Sequence, residues 1–262
     1  MKEKLKELRK RCLRLSYICQ DGNLQSAFSC MEIVWSLYDG VMNWSPEHAL
    51  DKNRDYFIIS KGQATLALYA VLIEKGMFDE VDFKDMGSLH SRYCIQTDPT
   101  KFPEGGVENA AGSLGHGLPF ATGLAMSAKI KKKPSMVYVL TGDGEFCEGT
   151  MWESCLFAAG KNLDNLCVII DDNHSVGAMI NMDNMKLKLE SFGFDVFEID
   201  GHDENDLKEK FSKFVKNGKP KAVIASTVRG YGSKTLTDKD VWFHKAPNTE
   251  ELAMLCKEVD EF

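Results

Sequence analysis

Two short polar motifs each follow an apolar run of the sequence. Residues 142–144 read Gly-Asp-Gly after "VYVLT", and Asn173 closes "LCVIIDDN", with 28 residues between the motifs. Glycines let a backbone approach a ligand closely, and the carboxylate of Asp143 is a hard oxygen ligand of the kind that Mg²⁺, Ca²⁺ or Mn²⁺ takes. If both runs are parallel strands, Asp143 and Asn173 meet at one sheet edge. The pattern then predicts a divalent cation that holds a pyrophosphate.

A purely structural explanation of each motif stands beside this one. A lone Gly-Asp-Gly is more often a tight turn than a ligand site, and Asp-Asp-Asn is equally an ordinary polar loop. The segment between them favours the ligand site, because a helix that begins near residues 148–150 would direct its N-terminus toward an anion. Two strand-end signals joined by such a helix are much more specific than either signal alone.

The elements that must position these residues alternate along the chain. Strands are predicted at 56–59, 136–140, 166–170, 196–199 and 222–226. Helices are predicted at 1–20, 30–42, 60–78, 118–130, 150–159, 184–192 and 204–215, with a break at 21–28 and a long loop at 79–113. Continuously apolar strands that alternate with helices indicate a parallel sheet covered on both faces. We therefore expect an α/β fold, a doubly wound parallel sheet with helices on both faces, as one domain over residues 1–262.

The amino-acid composition argues against two classes of function, nucleic-acid binding and membrane binding. The 262 residues are 44% hydrophobic and 27% charged, with a formal net charge of -7, so the basic surplus typical of nucleic-acid binding is missing. The charged N-terminal segment does not resemble a signal peptide, and no apolar run is long enough to span a bilayer. We expect a cytoplasmic protein that binds neither nucleic acid nor membrane. The eight scattered cysteines include no Cys-x-x-Cys pair and are expected to be reduced.

The stretch from Gly142 to Asn173 resembles the thiamine diphosphate signature in its transketolase form. After Gly-Asp-Gly come Glu-Gly, Trp-Glu, Ala-Ala and Leu-Asp-Asn-Leu, in the order of that family. Supporting stretches in family order are "LSYICQDGN", "IISKGQATLALYAVLIEKGMF", "GVENAAGSLGHGLPFATGLAMSAK", "FGFDVFEIDGHD" and "WFHKAPNTEEL". The resemblance covers nearly the whole chain. It implies a thiamine diphosphate-binding fold and the transfer of a two-carbon ketol unit between sugars.

The resemblance also implies roles for individual residues. The metal ligands would be Asp143, Asn173 and the main-chain carbonyl of Ser175. The cofactor-binding positions would be Gly112, Ser113, Leu114, His116, Gly142, Asp143, Gly144, Glu148 and Asn173, together with Gln63 and His244. For His116, a structural role is as good an expectation as cofactor contact.

Three positions that carry histidine in the family are altered or shifted in this chain. The usual Gly-His-Pro-Gly-Gly has Asn23 at its histidine, and the usual Lys-Gly-His-Ala reads "KGQA" with Gln63. The usual Trp-His-Gly-Lys-Ala-Pro reads "WFHKAP", so His244 either keeps the role or is displaced by one position. In the family these positions contact the cofactor and the donor sugar and help to move protons, so His244, Gln63 and Asn23 are the candidate catalytic residues. Asn and Gln cannot titrate near neutral pH, and we expect a substrate other than the usual pentose phosphates.

The resemblance covers only the first part of a full transketolase chain. It implies a split enzyme whose separate C-terminal subunit carries the pyrimidine-binding domain, in a heterotetramer with two copies of each chain. The chain alone would be inactive, and the sugar or sugar-phosphate substrate is not specified by this part. Two alternatives are open: a component of a thiamine-dependent 2-oxoacid decarboxylase or dehydrogenase, and a regulatory remnant without catalysis.

Overall fold

The computed structural model describes residues 2–177, 180–182, 184–238 and 242–262. Its strands are β1 (Tyr56–Ile59), β2 (Val137–Gly142), β3 (Leu166–Asp172), β4 (Asp195–Asp200) and β5 (Lys221–Ser226). Its α-helices are α1 (Glu3–Cys19), α2 (Leu24–Ser29), α3 (Met31–Ser36), α4 (Thr65–Glu74), α5 (Gly117–Ile130), α6 (Gly149–Gly160), α7 (Met185–Phe192), α8 (Glu204–Ser212), α9 (Lys234–Asp238) and α10 (Thr249–Glu261). None of the helices in the described ranges is long and apolar enough to cross a membrane.

The five strands form one sheet in the order β1-β2-β3-β5-β4, and every neighbouring pair is parallel. All strands therefore end at the same edge, which we call the carboxyl edge. The central strands β2, β3 and β5 consist mainly of buried apolar residues, as expected for a parallel sheet between two helical layers. The register pairs Gly142 with Asp171, so the ends of β2 and β3 lie side by side.

Successive side chains along each strand enter two separate cores. On β2, Tyr138 and Leu140 join a core with α1, α2, α3, α4, α8 and α10. Val137 and Val139 join the opposite core with α5, α6 and α7. This alternation is the period of two of a β-strand, and it requires helices on both faces. The predicted doubly wound α/β fold is confirmed, and the extent of the domain over residues 1–262 stays a prediction.

Several boundaries differ from the sequence prediction. The predicted break at 21–28 contains α2, whose N-terminus is capped by Asn23, and the predicted helix 30–42 ends as an α-helix at Ser36. Beyond Ser36 a wider helical turn leads to Gly40, whose φ of 114° is left-handed and ends the helix. Helix α8 ends at Ser212 rather than 215, and α9 and α10 were not predicted.

The long loop at 79–113 is largely irregular, as predicted, with short 3-10 turns at 80–85 and 99–101. Its later part borders the first strand: Asn109 accepts a hydrogen bond from Ile59 N at 3.1 Å and donates to Ile59 O at 3.0 Å. The side-chain amide of Asn109 thus satisfies backbone groups at the outer side of β1, where no further strand lies within the described sheet. This anchor brings residues 110–115 to the carboxyl edge.

Candidate cofactor and metal site

The carboxyl edge holds the two motifs that the sequence singled out. Strand β2 continues directly into a 3-10 turn at Asp143–Cys147, and β3 continues into Asn173. Because Gly142 and Asp171 are paired, the residues that follow them emerge next to each other. The predicted juxtaposition of the Gly-Asp-Gly loop and the Asn173 loop is therefore present in the fold.

Ser175 links Asp143 to Asn173. Its hydroxyl donates to Asp143 Oδ1 at 2.7 Å, and its main-chain N–H donates to Asn173 Oδ1 at 3.2 Å. Asp143 also accepts from Gly144 N at 2.9 Å and from Val176 N at 3.2 Å. Asp143 is only 4% exposed, so these hydrogen bonds hold a buried carboxylate at the start of the loop. The three residues expected to hold a metal are thus brought together.

Beneath Asn173 lies a buried polar cluster that the sequence analysis missed, made of Lys61, Asp171, Ser29 and Thr227. Asp171 Oδ2 forms an ion pair with Lys61 and accepts from Ser29 Oγ at 2.6 Å, and Thr227 donates to Asp171 Oδ1. Asn173 Nδ2 reaches Ser29 Oγ at 3.3 Å and Asp171 Oδ2 at 3.5 Å. Burial alone would lower the pKa of Lys61, but the negative charges of Asp171 and Asp143 raise it overall. Lys61 is therefore a buried cation directly beneath the candidate site.

A third buried carboxylate, Glu145, joins three loops of the carboxyl edge. Its oxygens accept hydrogen bonds from Ser60 Oγ at 2.7 Å, Gly115 N at 2.8 Å and Gly142 N at 3.0 Å. Burial raises the pKa of Glu145, although these donors and the nearby charge of Lys61 oppose the shift. Glu145 therefore fixes the loops after β1 and β2 and the loop before α5 relative to one another.

The loop at 110–117 packs tightly against this arrangement. A Cβ on Gly115, whose φ is 80°, would lie 2.7 Å from Glu148 Cβ, so only glycine fits between the loop and the start of α6. A Cβ on Gly62 would lie 3.6 Å from Gly112 N, which places the first of the predicted Gly112–Leu114 positions beside the end of β1. The fold thus holds Gly112–Leu114 at the carboxyl edge, and the contacts of these residues to the cofactor stay a prediction.

Glu148 and His116 occupy helix starts at this edge. Glu148 is the exposed residue before α6, and His116 is the exposed residue before α5. His116 Nδ1 lies 3.1 Å from Leu114 O, which requires Nδ1 to be the donor. His116 therefore has a local structural contact, and both of its predicted roles remain compatible with its position.

The three altered family positions have different environments. Asn23 caps α2 through a 3.1 Å hydrogen bond from Ser26 N to Oδ1, while its buried Nδ2 has no partner among the described residues. The buried Oε1 of Gln63 likewise has no partner in the described part of the chain. His244 is exposed, with Nδ1 3.4 Å from Asp21 Oδ1, two residues before Asn23. The fold brings His244 close to the loop that carries Asn23.

The residues that sequence reasoning missed did carry a readable signal. Lys61 and Asp171 both lie in the quoted motifs "IISKGQA" and "LCVIIDDN", each at the end of an apolar run. A charged residue at that position ends up at the carboxyl edge of a parallel sheet. What the sequence does not show is that two such residues, 110 positions apart, form one ion pair.

The all-parallel sheet and its polar carboxyl edge place the chain among the α/β proteins, a class whose members generally bind ligands outside the carboxyl ends of the strands. Within that class, residues 10–259 match the family model described as "Transketolase, thiamine diphosphate binding domain". The chain therefore belongs to the transketolase family. The resemblance predicted from the motifs is confirmed, and so is the thiamine diphosphate-binding domain.

Relatives of similar length support this assignment. The chain is 36% identical to a protein of Actinobacillus succinogenes that is named as one of the subunits of apulose-4-phosphate transketolase, over 100% of this chain and 96% of the relative. It is 32% identical to the protein of the same name from Phocaeicola vulgatus, over 97% of this chain and 91% of the relative. These matches favour a transketolase over the 2-oxoacid decarboxylase and the non-catalytic alternatives.

Solved structures show the same fold. The transketolase of Campylobacter jejuni superimposes with a TM-score of 0.84 at 29% identity, and that of Leishmania mexicana with a TM-score of 0.88 at 24% identity. The superposition covers 99% and 98% of this chain but only 42% and 41% of the two transketolase chains. This chain therefore spans about two-fifths of their length.

Proposed function

We propose that this chain is the cofactor-binding subunit of a two-chain transketolase that uses a divalent metal and thiamine diphosphate to transfer a two-carbon ketol unit. The observation that carries the proposal is the linkage of Asp143 and Asn173 through Ser175 at the carboxyl edge. The proposed partner is a separate C-terminal subunit with the pyrimidine-binding domain, in an assembly of two copies of each chain. The two relatives of similar length are named as enzyme subunits, which supports a separate partner.

The donor set fits a hard divalent cation. A carboxylate, an amide oxygen and the main-chain carbonyl of Ser175 are oxygen ligands, and Mg²⁺ uses one or two carboxylates with phosphate and water rather than a full protein cage. An ionised carboxylate can accept about four partners. Asp143 already accepts three hydrogen bonds, so its carboxylate can bind one further partner.

The surroundings of Asp143 fit a diphosphate. Gly142 and Gly144 present backbone rather than side chains on either side of the carboxylate, and α6 begins five residues after Gly144. The N-terminus of this 12-residue helix carries a partial positive charge that favours an anion. Gly144, the first turn of α6 and Gly112–Leu114 are the parts of this chain that would hold the diphosphate.

Asn23, Gln63 and His244 are the proposed contacts to the cofactor and the sugar. Asn23 Nδ2 offers a buried donor and Gln63 Oε1 a buried acceptor, each without a partner among the described residues. A buried polar atom that lacks a partner costs free energy, so a bound ligand with a hydroxyl or ring nitrogen would gain by pairing with it. Of the three side chains, only His244 can carry a proton near neutral pH.

Bound thiamine diphosphate supplies the electron sink that allows the carbon–carbon bond of a ketose to break. The residues of this chain bind and orient the cofactor, and His244 is the proposed proton carrier on this side of the site. The family resemblance assigns the carboxylate that activates the cofactor, and the groups that hold the sugar phosphate, to the other chain. The isolated chain is therefore expected to bind weakly and to turn nothing over.

Calorimetric titration with thiamine diphosphate and Mg²⁺ tests the proposal, with the chain alone and with the chain co-purified with its candidate partner. We expect strong, Mg²⁺-dependent binding only in the presence of the partner. Omission of Mg²⁺, or its removal by a chelator, should abolish the heat of binding. Absence of binding by the two-chain preparation in Mg²⁺ would contradict the proposed function.

The donor sugar is tested by turnover. The names of the two relatives suggest apulose 4-phosphate as donor for this chain as well, and we expect it to be used more efficiently than xylulose 5-phosphate. The loss of two titratable groups at positions 23 and 63 is the physical reason to expect a changed donor. Equal rates with both sugars would show that Asn23 and Gln63 do not set the preference.

A further inference from the structure

The cluster of Lys61, Asp171, Ser29 and Thr227 lies beneath the proposed metal site. Of the predicted metal ligands, Asn173 is the one to which the cluster is hydrogen-bonded in the described part of the chain. Its four residues are 6%, 0%, 0% and 4% exposed, in that order. A charge pair so deeply buried costs desolvation free energy, and replacing such a pair by apolar residues of similar size is often neutral or stabilising. Stability alone is therefore a weak explanation for a lysine and an aspartate at these positions.

The hydrogen bonds of the cluster converge on the amide of Asn173. Ser29 Oγ donates to Asp171 Oδ2 at 2.6 Å and accepts from Lys61 Nζ at 3.2 Å. Asn173 Nδ2 then donates toward Ser29 Oγ and Asp171 Oδ2, both of which accept on the buried side of Asn173. With Nδ2 held there, Oδ1 turns to the opposite side, where it meets Ser175 N.

A second path connects the cluster to the other metal-ligand loop. The aliphatic stem of Lys61 runs directly beneath Gly142: a Cβ on Gly142 would lie 3.6 Å from Lys61 Cδ and 3.9 Å from its Cε. The stem of Lys61 thus lies next to the residue that precedes Asp143, while its ammonium group pairs with Asp171. One side chain is therefore close to both strand ends that carry the proposed metal ligands.

We propose that Lys61, Asp171 and Ser29 are positioning residues that direct Asn173 Oδ1 toward the metal and support the backbone before Asp143. This inference rests on the proposed function, because it assumes a metal between Asp143 and Asn173. An amide offers oxygen on one side and nitrogen on the other, so a flipped Asn173 would present a donor to the cation. The cluster prevents that flip by giving Nδ2 two acceptors, and the orientation of metal ligands by such outer contacts is a general feature of metal sites.

The test compares Ser29→Ala, Ser29→Thr and Lys61→Met in the two-chain complex. Ser29→Ala removes one acceptor of Asn173 Nδ2 without removing a charge, and Ser29→Thr keeps the hydroxyl. The readouts are the Mg²⁺ concentration that half-saturates thiamine diphosphate binding in calorimetry, and the melting temperature without ligand. We expect Ser29→Ala to raise the required Mg²⁺ concentration about 10-fold, Lys61→Met about 10- to 100-fold, and Ser29→Thr to restore it to near the unaltered value.

Lys221→Met is the matched control. Lys221 is a second buried lysine, 1% exposed and paired with Asp195 at 2.8 Å, but it lies at the first residue of β5, at the opposite end of the sheet. Its replacement should lower the melting temperature and leave the Mg²⁺ requirement within about 2-fold. If Lys61→Met does not fold, the two Ser29 variants still decide the question.

The outcomes separate the two proposals. A complex without substitutions that binds no thiamine diphosphate in Mg²⁺ overturns the proposed function and this inference together. Normal binding by that complex, with an unchanged Mg²⁺ requirement in Ser29→Ala, overturns only the positioning role. An equal change in the Mg²⁺ requirement of Lys61→Met and Lys221→Met would likewise show that the cluster contributes to stability alone.

Discussion

The two ends of the sheet each contain a buried lysine paired with an aspartate, and the pairs differ in what else they touch. At the carboxyl edge, Asp171 is fully buried and takes hydrogen bonds from Ser29, Thr227 and Asn173. At the opposite end of the sheet, where the strands begin and which we call the amino edge, Asp195 is 26% exposed and is held by Lys221, the first residue of β5, and by Asn217 in the segment before it. The first pair joins separate loops across the sheet, and the second joins the first residues of the neighbouring strands β4 and β5.

The comparison shows that the role of a buried ion pair is indicated by the residues around it. Lysine at the start of a strand satisfies a nearby carboxylate and leaves the remaining polar groups in water. The lysine at the carboxyl edge lies where several strand ends and loops meet. Its partner Asp171 also accepts hydrogen bonds from α2, from the segment after β3 and from the segment after β5. Because Asp171 is also hydrogen-bonded to Asn173, the position of the Asp171 carboxylate affects the position of a proposed ligand residue.

The largest expected difference between the two edges concerns cofactor binding. Asp143→Ala should weaken Mg²⁺-dependent binding of thiamine diphosphate at least about 100-fold, because it removes the only carboxylate of the proposed ligand set. The matched variant at the amino edge, Asp195→Ala, should bind as the unaltered chain does. Calorimetry on the two-chain complexes measures both affinities.

Circular dichroism and thermal unfolding of the same variants provide the control. Asp143→Ala should remain folded, since Asp143 belongs to neither hydrophobic core, although its melting temperature should fall because three donors lose their acceptor. Global unfolding of this variant would mean that Asp143 is a structural residue rather than a ligand. A loss of cofactor affinity in Asp195→Ala would contradict the prediction that the carboxyl edge, and not the amino edge, binds the cofactor.

The next effect concerns stability at the carboxyl edge itself. Glu145→Ala should lower the free energy of unfolding by about 2–4 kcal/mol, because three buried donors lose their acceptor. Glu153 on α6 is exposed, and Glu153→Ala should change stability by less than about 0.5 kcal/mol. Urea denaturation followed by circular dichroism measures both values.

Near-equal values for the two glutamate variants would contradict the role of Glu145 as the residue that joins the loops. The same comparison sharpens the interpretation of cofactor binding. A loss of cofactor affinity in folded Glu145→Ala would show that cofactor binding requires the loops that Glu145 joins, since Glu145 itself is not one of the proposed ligands.

Much of this architecture could be predicted from the sequence, because it depends on local patterns. Apolar runs followed by Gly-Asp-Gly and by Asn173 gave both strand ends and their adjacency. The Asn248 and Glu251 capping box at the start of α10 was equally readable, since Asn with Glu three residues later marks a helix start. The sequence therefore contains the signal for α10, and the sequence analysis overlooked it.

What could not be predicted depends on contacts between distant residues. Nothing in "SKGQA" shows that Lys61 turns inward to Asp171 instead of outward to solvent. Likewise Glu145 lies between an aspartate and a glutamate in the same loop, and only the fold shows that it accepts hydrogen bonds from three separate segments of the carboxyl edge. Polar residues at strand ends can be identified from sequence, but their pairing requires the strand order.

The smallest expected effect is a difference in the sign of the pH dependence at the two edges. Burial alone would raise the pKa of Asp195, but hydrogen bonds from Lys221 and Asn217 lower it below its ordinary value of 3.8. Its ionised form therefore stabilises the fold above pH 3.8, and this contribution is lost as the pH falls through the lowered pKa. For Glu145 burial raises the pKa above 4.5, so the folded state holds its proton longer than the unfolded chain.

The contribution of Glu145 to stability consequently decreases as the pH rises from 4.5 through the raised pKa and is constant above it. Urea denaturation from about pH 3 to about pH 7 should show this as a change of slope: Asp195→Asn should make the slope of stability against pH less positive on the acid side, and Glu145→Gln should make it more positive just above pH 4.5. The two substitutions should act in opposite directions on the slope. A change of the same sign in both variants would show that the carboxylates at the two edges experience the same kind of electrostatic environment.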